Sequence, residues 1–241
     1  MTDFDPISLA FVLALLALVP LAAVMTTSFL KIAVVLTLVR NALGVQQVPP
    51  NMALYGLALI LSAYVMGPVV MQIGDNLRAT AAVTAPAVPG NGGATGMARP
   101  PVAATSATGN TRLDNVIDAI TNGAEPIRAF MVKNSRLEQR EFFLRTARGM
   151  WGEERSRNLK ADDLIVLIPA FVLSELTAAF QIGFLLYLPF VVIDLIVSNI
   201  LLAMGMMMVS PVTISMPLKL FLFVMIDGWT RLIQGLVLSY S

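Results

Sequence analysis

Residues 164–193 read LIVLIPAFVLSELTAAFQIGFLLYLPFVVI, with Glu175 as the single charge in the stretch. A helix rises about 1.5 Å per residue, so this run alone is longer than the ~30 Å hydrocarbon layer of a bilayer. It shows no alternation of apolar and polar residues, which argues against a half-buried strand and for a helix apolar on all sides. Outward from it, further apolar blocks extend from Ile7 to about Leu30, from Met52 to about Ile73 and from Leu195 to about Ile226. Pro20, Pro68, Pro169, Pro189, Pro211 and Pro217 punctuate these blocks, with the main breaks expected at Pro189–Asp194 and Ser210–Pro217. Broken backbone at membrane depth is tolerated only where protein or a water-filled cavity surrounds it. The pattern therefore predicts an all-α, membrane-associated fold of helical hairpins with broken helices. Such hairpins suit an assembly better than four smooth, lipid-facing spans.

Composition agrees. Of 241 residues, 57% are hydrophobic and 13% charged, against about 45–50% and about 25% in soluble domains. The mean hydropathy is +0.78. A formal charge of +1 supplies no basic field for nucleic acid. There is no His and no Cys, which removes His- or Cys-built zinc sites, thiol nucleophiles, His-based triads and disulfides. We expect no enzyme activity, no cofactor and no metal. The start, Met1-Thr2-Asp3-Phe4-Asp5, carries two acids and no base. A secretory leader begins positively charged, so the first apolar block reads as a retained helix.

Four regions follow: an N-terminal apolar helical hairpin over 1–78, a flexible Ala/Pro/Gly-rich loop over 79–111, a polar amphipathic helical insert over 112–163, and a C-terminal apolar hairpin with a methionine-rich loop over 164–241. The composition of 79–111 offers too little apolar surface to offset the entropy of ordering. In the insert, Thr111-Arg112-Leu113-Asp114 resembles a capping sequence, and Leu113, Ile117 and Ile120 follow at helical spacing. Ile127, Phe130 and Met131 continue an apolar face, and Glu141 with Arg145 is placed to pair across one turn. Residues 74–163 hold twelve of the sixteen Lys and Arg residues together with ten acids. An insert this long lies beyond the reach of the positive-inside rule, so charge alone does not assign its side of the membrane.

Outside that insert, and apart from Asp3 and Asp5, the charges are Lys31, Arg40, Glu175, Asp194, Lys219, Asp227 and Arg231. One charge at the centre of a membrane helix costs about 2.5–3.5 kcal/mol on insertion scales. Glu175 and Lys219 lie in apolar runs, so each is expected to be paired or neutralised. The pairing we expect is Glu175 with Lys219 between neighbouring subunits; the alternative is that each reaches water separately. Asp194 and Asp227 are expected at helix ends near a polar surface. A proton-carrying role for Glu175 or Asp194 is a third reading.

The run Met204-Gly205-Met206-Met207-Met208-Val209-Ser210-Pro211 cannot put all its methionines on one side of a regular helix. Gly205 and Pro211 point to bending or termination. On residues alone the run is either ordinary packing or, if several copies meet round an axis, a deformable apolar collar. Three weaker motifs carry nothing. Ser28-Phe29-Leu30-Lys31 matches the Ser-x-x-Lys pattern without its companion elements. Gly90-Asn91-Gly92-Gly93 lacks a phosphate-binding continuation. Arg136, Arg140, Arg145, Arg148, Arg155 and Arg157 alternate with acids, as a solvated face or one near lipid headgroups does.

Three ordered stretches together resemble one family. The first runs from Met25-Thr26-Thr27-Ser28-Phe29-Leu30-Lys31-Ile32 through Arg40-Asn41-Ala42-Leu43-Gly44-Val45-Gln46-Gln47-Val48-Pro49-Pro50-Asn51. The second runs from Pro169-Ala170-Phe171-Val172-Leu173-Ser174-Glu175-Leu176 to Pro189-Phe190. The third joins Ile193-Asp194-Leu195, the methionine run, Leu218-Lys219-Leu220 and Asp227-Gly228-Trp229. They resemble the FliP/SctR family of export-gate proteins of flagella and type III secretion injectisomes, over roughly residues 8–78 and 137–235. The wording from Arg40 to Gly56 is more similar to the injectisome branch, SctR, than to flagellar FliP. Residues 79–111 look like an insertion.

The resemblance implies a subunit of a protein-export gate in the bacterial inner membrane. Several copies, five by the same resemblance, would assemble with SctS/FliQ-like and SctT/FliR-like subunits, beside other export apparatus proteins and membrane lipid. They would surround a closed channel for unfolded secreted polypeptides. It also implies that Met204, Met206, Met207 and Met208 line a constriction. From other classes of function, an ion- or proton-coupled transporter using Glu175 and Asp194, and a scaffold whose partners form the channel, are the alternatives. A flagellar gate subunit is the alternative within the family. Proline at 49 and 50 is expected to stop one helix, with Asn51 capping the next.

Overall fold

Ile32, Val35, Leu36 and Val39 recur at spacings of three and four, and all four are buried along one helix. That helix, α2 (Phe29–Ala42), lies at the centre of the fold. The computed structural model describes residues 6–45, 48–84, 123–206 and 208–241, and everything described is helix or connection, with no strand among the described residues. Before α2 comes α1 (Pro6–Thr26), and after it α3 (Asn51–Thr84). Residues 123–134 form α4. The remaining helices are α5 (Leu137–Trp151), the single turn α6 (Glu153–Ser156), α7 (Leu164–Ala203), α8 (Pro211–Met225) and α9 (Gly228–Leu238). The expected flexible loop lies outside the described residues except where α3 continues through residues 79–84. The capping sequence at Thr111 and the Leu113–Ile120 face lie outside them too.

The chain divides into two compact units. One comprises residues 1–67 and 130–241 and the other Pro68–Ala129. In the smaller unit Gly123 lies against Leu77, and Asp75 and Arg78 form an exposed pair at 3.8 Å. In the larger unit, α2 packs along α7. Leu54 and Ala58 of α3, Ala179 and Phe190 of α7, Phe223 of α8 and Leu232 and Leu236 of α9 complete the core around it. Ser28 is fully buried and donates to the Ser62 hydroxyl at 3.1 Å. Its hydroxyl is thereby turned to α3, while Lys31 is engaged elsewhere, so the Ser-x-x-Lys match forms no acylation site.

Of the two expected breaks, the one at Ser210–Pro217 falls at its first residues, where Pro211 opens α8, and the one at Pro189–Asp194 does not occur. Pro20, Pro68, Pro169, Pro189 and Pro217 all lie inside continuous helices, and α7 runs unbroken through Pro189–Asp194. A helix-interior proline costs about 3 kcal/mol in water. In apolar surroundings the flanking backbone groups find no competing partner, so the helix resumes on the far side. The break before Pro211 starts after Ala203. Asn51 departs from expectation as well. It begins α3 with its side chain accepting from the Arg40 guanidinium, while the Pro50 carbonyl takes the first amides, from Ala53 at 3.0 Å and Leu54 at 3.3 Å. Arg145 donates to the Glu141 backbone carbonyl at 3.4 Å in place of the carboxylate.

Among the described residues, two helices, with segments Asn51–Arg78 and Leu164–Ala203, are long and apolar enough to cross a membrane. The count rises to four if each bent pair is one span: Pro20–Thr26 with Phe29–Ala42 at 76°, and Pro211–Met225 with Gly228–Leu238 at 62°. At 1.5 Å per residue, α7 is about 60 Å long, twice a hydrocarbon layer. Only 17% of its most apolar window is buried within the chain. Apolar surface of this extent is stable against lipid or other protein.

A tight helix crossing lies at Gly183, where an added Cβ would collide with the Leu38 side chain and lie 3.2 Å from its Cβ. Gly183→Val should loosen α2 from α7 by about 1–3 kcal/mol, the usual range for overpacking. Gly56→Ala, on an exposed face with nothing within 4 Å of the new methyl, should be neutral or slightly stabilising. Thermal unfolding of the purified protein in detergent checks both; equal midpoints would refute the close crossing.

Candidate functional site

Helix α7 ends in two hydrogen bonds that reverse the chain. Gly205 donates to the Leu202 carbonyl at 3.0 Å and Met206 to that of Leu201 at 3.0 Å. The crossed pattern is a Schellman stop, which needs a left-handed residue, and Gly205 supplies φ +75° at no Cβ cost. Ser210 then precedes Pro211, the first residue of α8, where the missing amide is no loss. The methionine run is thus a short loop between two apolar helices. Met204, Met206 and Met208 are 66%, 45% and 101% exposed. Met207 lies outside the described residues.

The stems of this loop are joined by a charge pair. Lys219 of α8 contacts the Asp194 carboxylate of α7 at 2.6 Å, and the Ser215 hydroxyl donates to the other carboxylate oxygen at 2.5 Å. Lys219 also donates to the Ala42 carbonyl at the end of α2, at 3.5 Å. The ammonium is buried and the Asp194 side chain is 33% exposed. At 1.5 Å per residue, Asp194 lies about 13 Å below the α7 terminus. The pair holds the two stems together without entering the loop.

The second pair is deeper. Lys31 of α2 donates to Glu175 of α7 at 3.3 Å, with both side chains almost fully buried. The Tyr240 hydroxyl donates to the other Glu175 oxygen. The Tyr240 ring also lies under the ammonium, 3.6 Å from it, a cation–π contact strengthened by the absence of water. Phe130 stacks on that ring at 5.9 Å and meets Phe171 edge-on at 5.9 Å. A buried ammonium and a buried carboxylate are thereby enclosed by aromatic faces.

The pairing expected across subunits is not formed inside one chain, where both residues have other partners. Within the chain Glu175 meets Lys31 and Lys219 meets Asp194. Asp194 is not at a helix end but well inside α7. Asp227 does sit at a helix boundary, between α8 and α9, with φ 52°. Lys31 and Tyr240 were not recognisable in advance as partners of Glu175. Lys31 lies 144 positions from Glu175 along the chain, and a single Tyr after an apolar helix gives no local signal. The Arg40 guanidinium reaches Asn51 and the Pro49 carbonyl, bracing the turn between α2 and α3.

The FliP family model matches residues 12–236. The chain belongs to the FliP family. Among its relatives, the Yop proteins translocation protein R of Yersinia pestis is 49% identical over 98% of this chain and 97% of its own length. The harpin secretion protein HrcR of Erwinia amylovora is 45% identical over 99% and 98%. The virulence protein YscR of Salmonella typhimurium is 44% identical over 98% and 98%. Family membership thus extends across the charge pairs and the methionine loop alike.

Removing one member of the buried Lys31–Glu175 pair should cost about 3–5 kcal/mol, because the survivor stays charged and dry. Lys31→Met should therefore lower the unfolding midpoint sharply in detergent, and adding Glu175→Leu should recover most of the loss. A double variant as unstable as Lys31→Met would show that the carboxylate is not the source of the penalty.

Proposed function

We propose that this chain is a core subunit of a type III secretion export gate in the bacterial inner membrane. Several copies, five by family resemblance, assemble with SctS/FliQ-like and SctT/FliR-like subunits around a channel for unfolded polypeptides. Met204, Met206, Met207 and Met208 close that channel. The observation that carries this reading is the loop of bare thioethers between α7 and α8, with Met208 fully exposed. Family membership and relatives named for translocation, harpin secretion and virulence support the injectisome setting over the flagellar one.

The chemistry suits the task. Thioether side chains are unbranched and polarisable, and they reshape round varied side chains without committing hydrogen bonds to any. A ring of them is narrow and apolar and resists ions by dewetting. The Schellman stop and the Asp194–Lys219 pair give the loop fixed stems, so its softness is confined to the tip. The transporter alternative finds less support. Glu175 is enclosed with Lys31 and Tyr240, and Asp194 is held by Lys219 and Ser215, so both carboxylates have occupied oxygens.

Replacing Met204, Met206, Met207 and Met208 together by Ala in the co-expressed export complex should leave its native mass unchanged. Proton and ion leakage across vesicles carrying it should rise, because the shortened side chains no longer meet. If leakage and secretion both stay at the wild-type level, the collar is not formed by this loop, and the scaffold reading takes its place.

A further inference from the structure

Gly228, Leu232 and Leu236 are the buried residues of α9, spaced by four, and Tyr240 follows at the same step beyond the helix. The last turn is tightened there: Ser239 donates to the Gly235 carbonyl at 3.0 Å and Tyr240 to that of Val237 at 3.1 Å. Of residues 237–241, Tyr240 alone is buried. Its ring enters the Lys31–Glu175 site. The hydroxyl donates to Glu175 Oε2, the oxygen left over by Lys31, which meets Oε1. The ring face stands 3.6 Å from the Lys31 ammonium. One side chain therefore serves both charges, as donor to the anion and as π-face to the cation. We infer that Tyr240 is a clasp that fastens the end of α9 to α2, α4 and α7, and that the Lys31–Glu175 pair is complete only while this clasp is closed.

The attachments reach each of those elements. On α7 the hydroxyl holds Glu175, and at the start of α2 the Ser28 carbonyl is its second acceptor, at 3.4 Å. On α4, Phe130 stacks on the Tyr240 ring and Lys133 donates to the Tyr240 carbonyl at 3.4 Å. The side chains of Lys31 and Glu175 are almost fully buried, so water cannot replace a missing partner at low cost. Phenylalanine at this position would keep the ring face and the stacking but leave Oε2 without its donor. Leucine would lose the face under the ammonium as well. Tyrosine alone among the aromatic residues joins a hydroxyl donor to a six-membered ring face in one rigid side chain. The arm formed by α8 and α9, which begins beyond the methionine loop, is thereby secured to α7 at two charged sites, through Lys219 on Asp194 and Tyr240 on Glu175. The inference rests on these contacts and does not depend on the methionine gate.

Amide hydrogen exchange of the full chain in detergent, read by mass spectrometry, tests the clasp, because a helix end opens locally when its anchor is lost. Tyr240→Phe keeps the ring and removes one donor to a charged acceptor. Exchange over Leu236–Ser241 should then accelerate about ten- to a hundredfold, the equivalent of one such hydrogen bond, while α5 exchanges as in the wild type. Tyr240→Leu should accelerate it further, and Leu238→Ala, on the exposed side of the same turn, should leave the rate near wild type. The decisive arm repeats Tyr240→Phe in a chain carrying Lys31→Met and Glu175→Leu. There the hydroxyl has lost its anion, so removing it should leave exchange unchanged or slow it. A side chain that served packing alone would give the same acceleration in both backgrounds. Unchanged exchange in Tyr240→Phe, equal effects of Phe and Leu, or equal effects of Tyr240→Phe in the two backgrounds would each overturn the inference. The first two need no altered background and decide the matter should the double variant not fold. Exchange is read on the chain without its export partners, so the result is independent of whether the gate assembles.

Discussion

Glu175 and Asp194 stand about 28 Å apart along the axis of α7; the buried Glu175 needs a cation, and the partly exposed Asp194 serves as the anion for the buried Lys219. An uncompensated buried charge costs several kcal/mol, more than any single apolar contact returns. Lys31 brings α2 to α7 at one level, and Lys219 brings α8 to it at the other. Because the partners come from different helices, the two pairs add register constraints on three rods to those set by apolar packing. Aromatic rings seal the deeper pair, and Ser215 and a helix-end carbonyl complete the shallower one.

That arrangement divides the molecule between rigid and adaptable parts. The core around α2 is close-packed, with Gly183 admitting Leu38 where no side chain would fit. The methionine loop is bounded by a Schellman stop and a proline start, so its ends are defined while Met204, Met206 and Met208 stay exposed. A soft tip on fixed stems suits the seal proposed for this loop. Much of α7 and α8 meanwhile stays apolar and uncovered within the chain. Lipid and partner subunits are the two environments in which such surface is stable.

The helical class was legible because the apolar blocks are long and show no alternation, and the stop after Ala203 was legible in Gly205 and Pro211. The pairing of charges was not. Four ionisable residues in apolar runs, two of each sign, admit two complete pairings. Assigning Asp194 to a helix end removed it from consideration and left Glu175 to Lys219. The prolines misled for a related reason. Their cost is set by whether flanking backbone groups have somewhere else to bond, and a one-dimensional reading assumes water. Tyr240 was invisible, since its meaning comes from the ammonium beneath it and not from its neighbours in the chain.

By itself the sequence determined that this protein is a set of apolar helices, that its charges outside the polar insert are few and expensive, and that methionines fall at a helix stop. These properties follow from local spacing, composition and the transfer cost of charge, all of which act along the chain. Only the tertiary structure decided which lysine meets which carboxylate, that α7 continues through Pro189, and that α2 lies at the centre. Those outcomes depend on which helices approach closely enough to exclude water. Contact across long separations in sequence selects among pairings that local chemistry leaves equivalent.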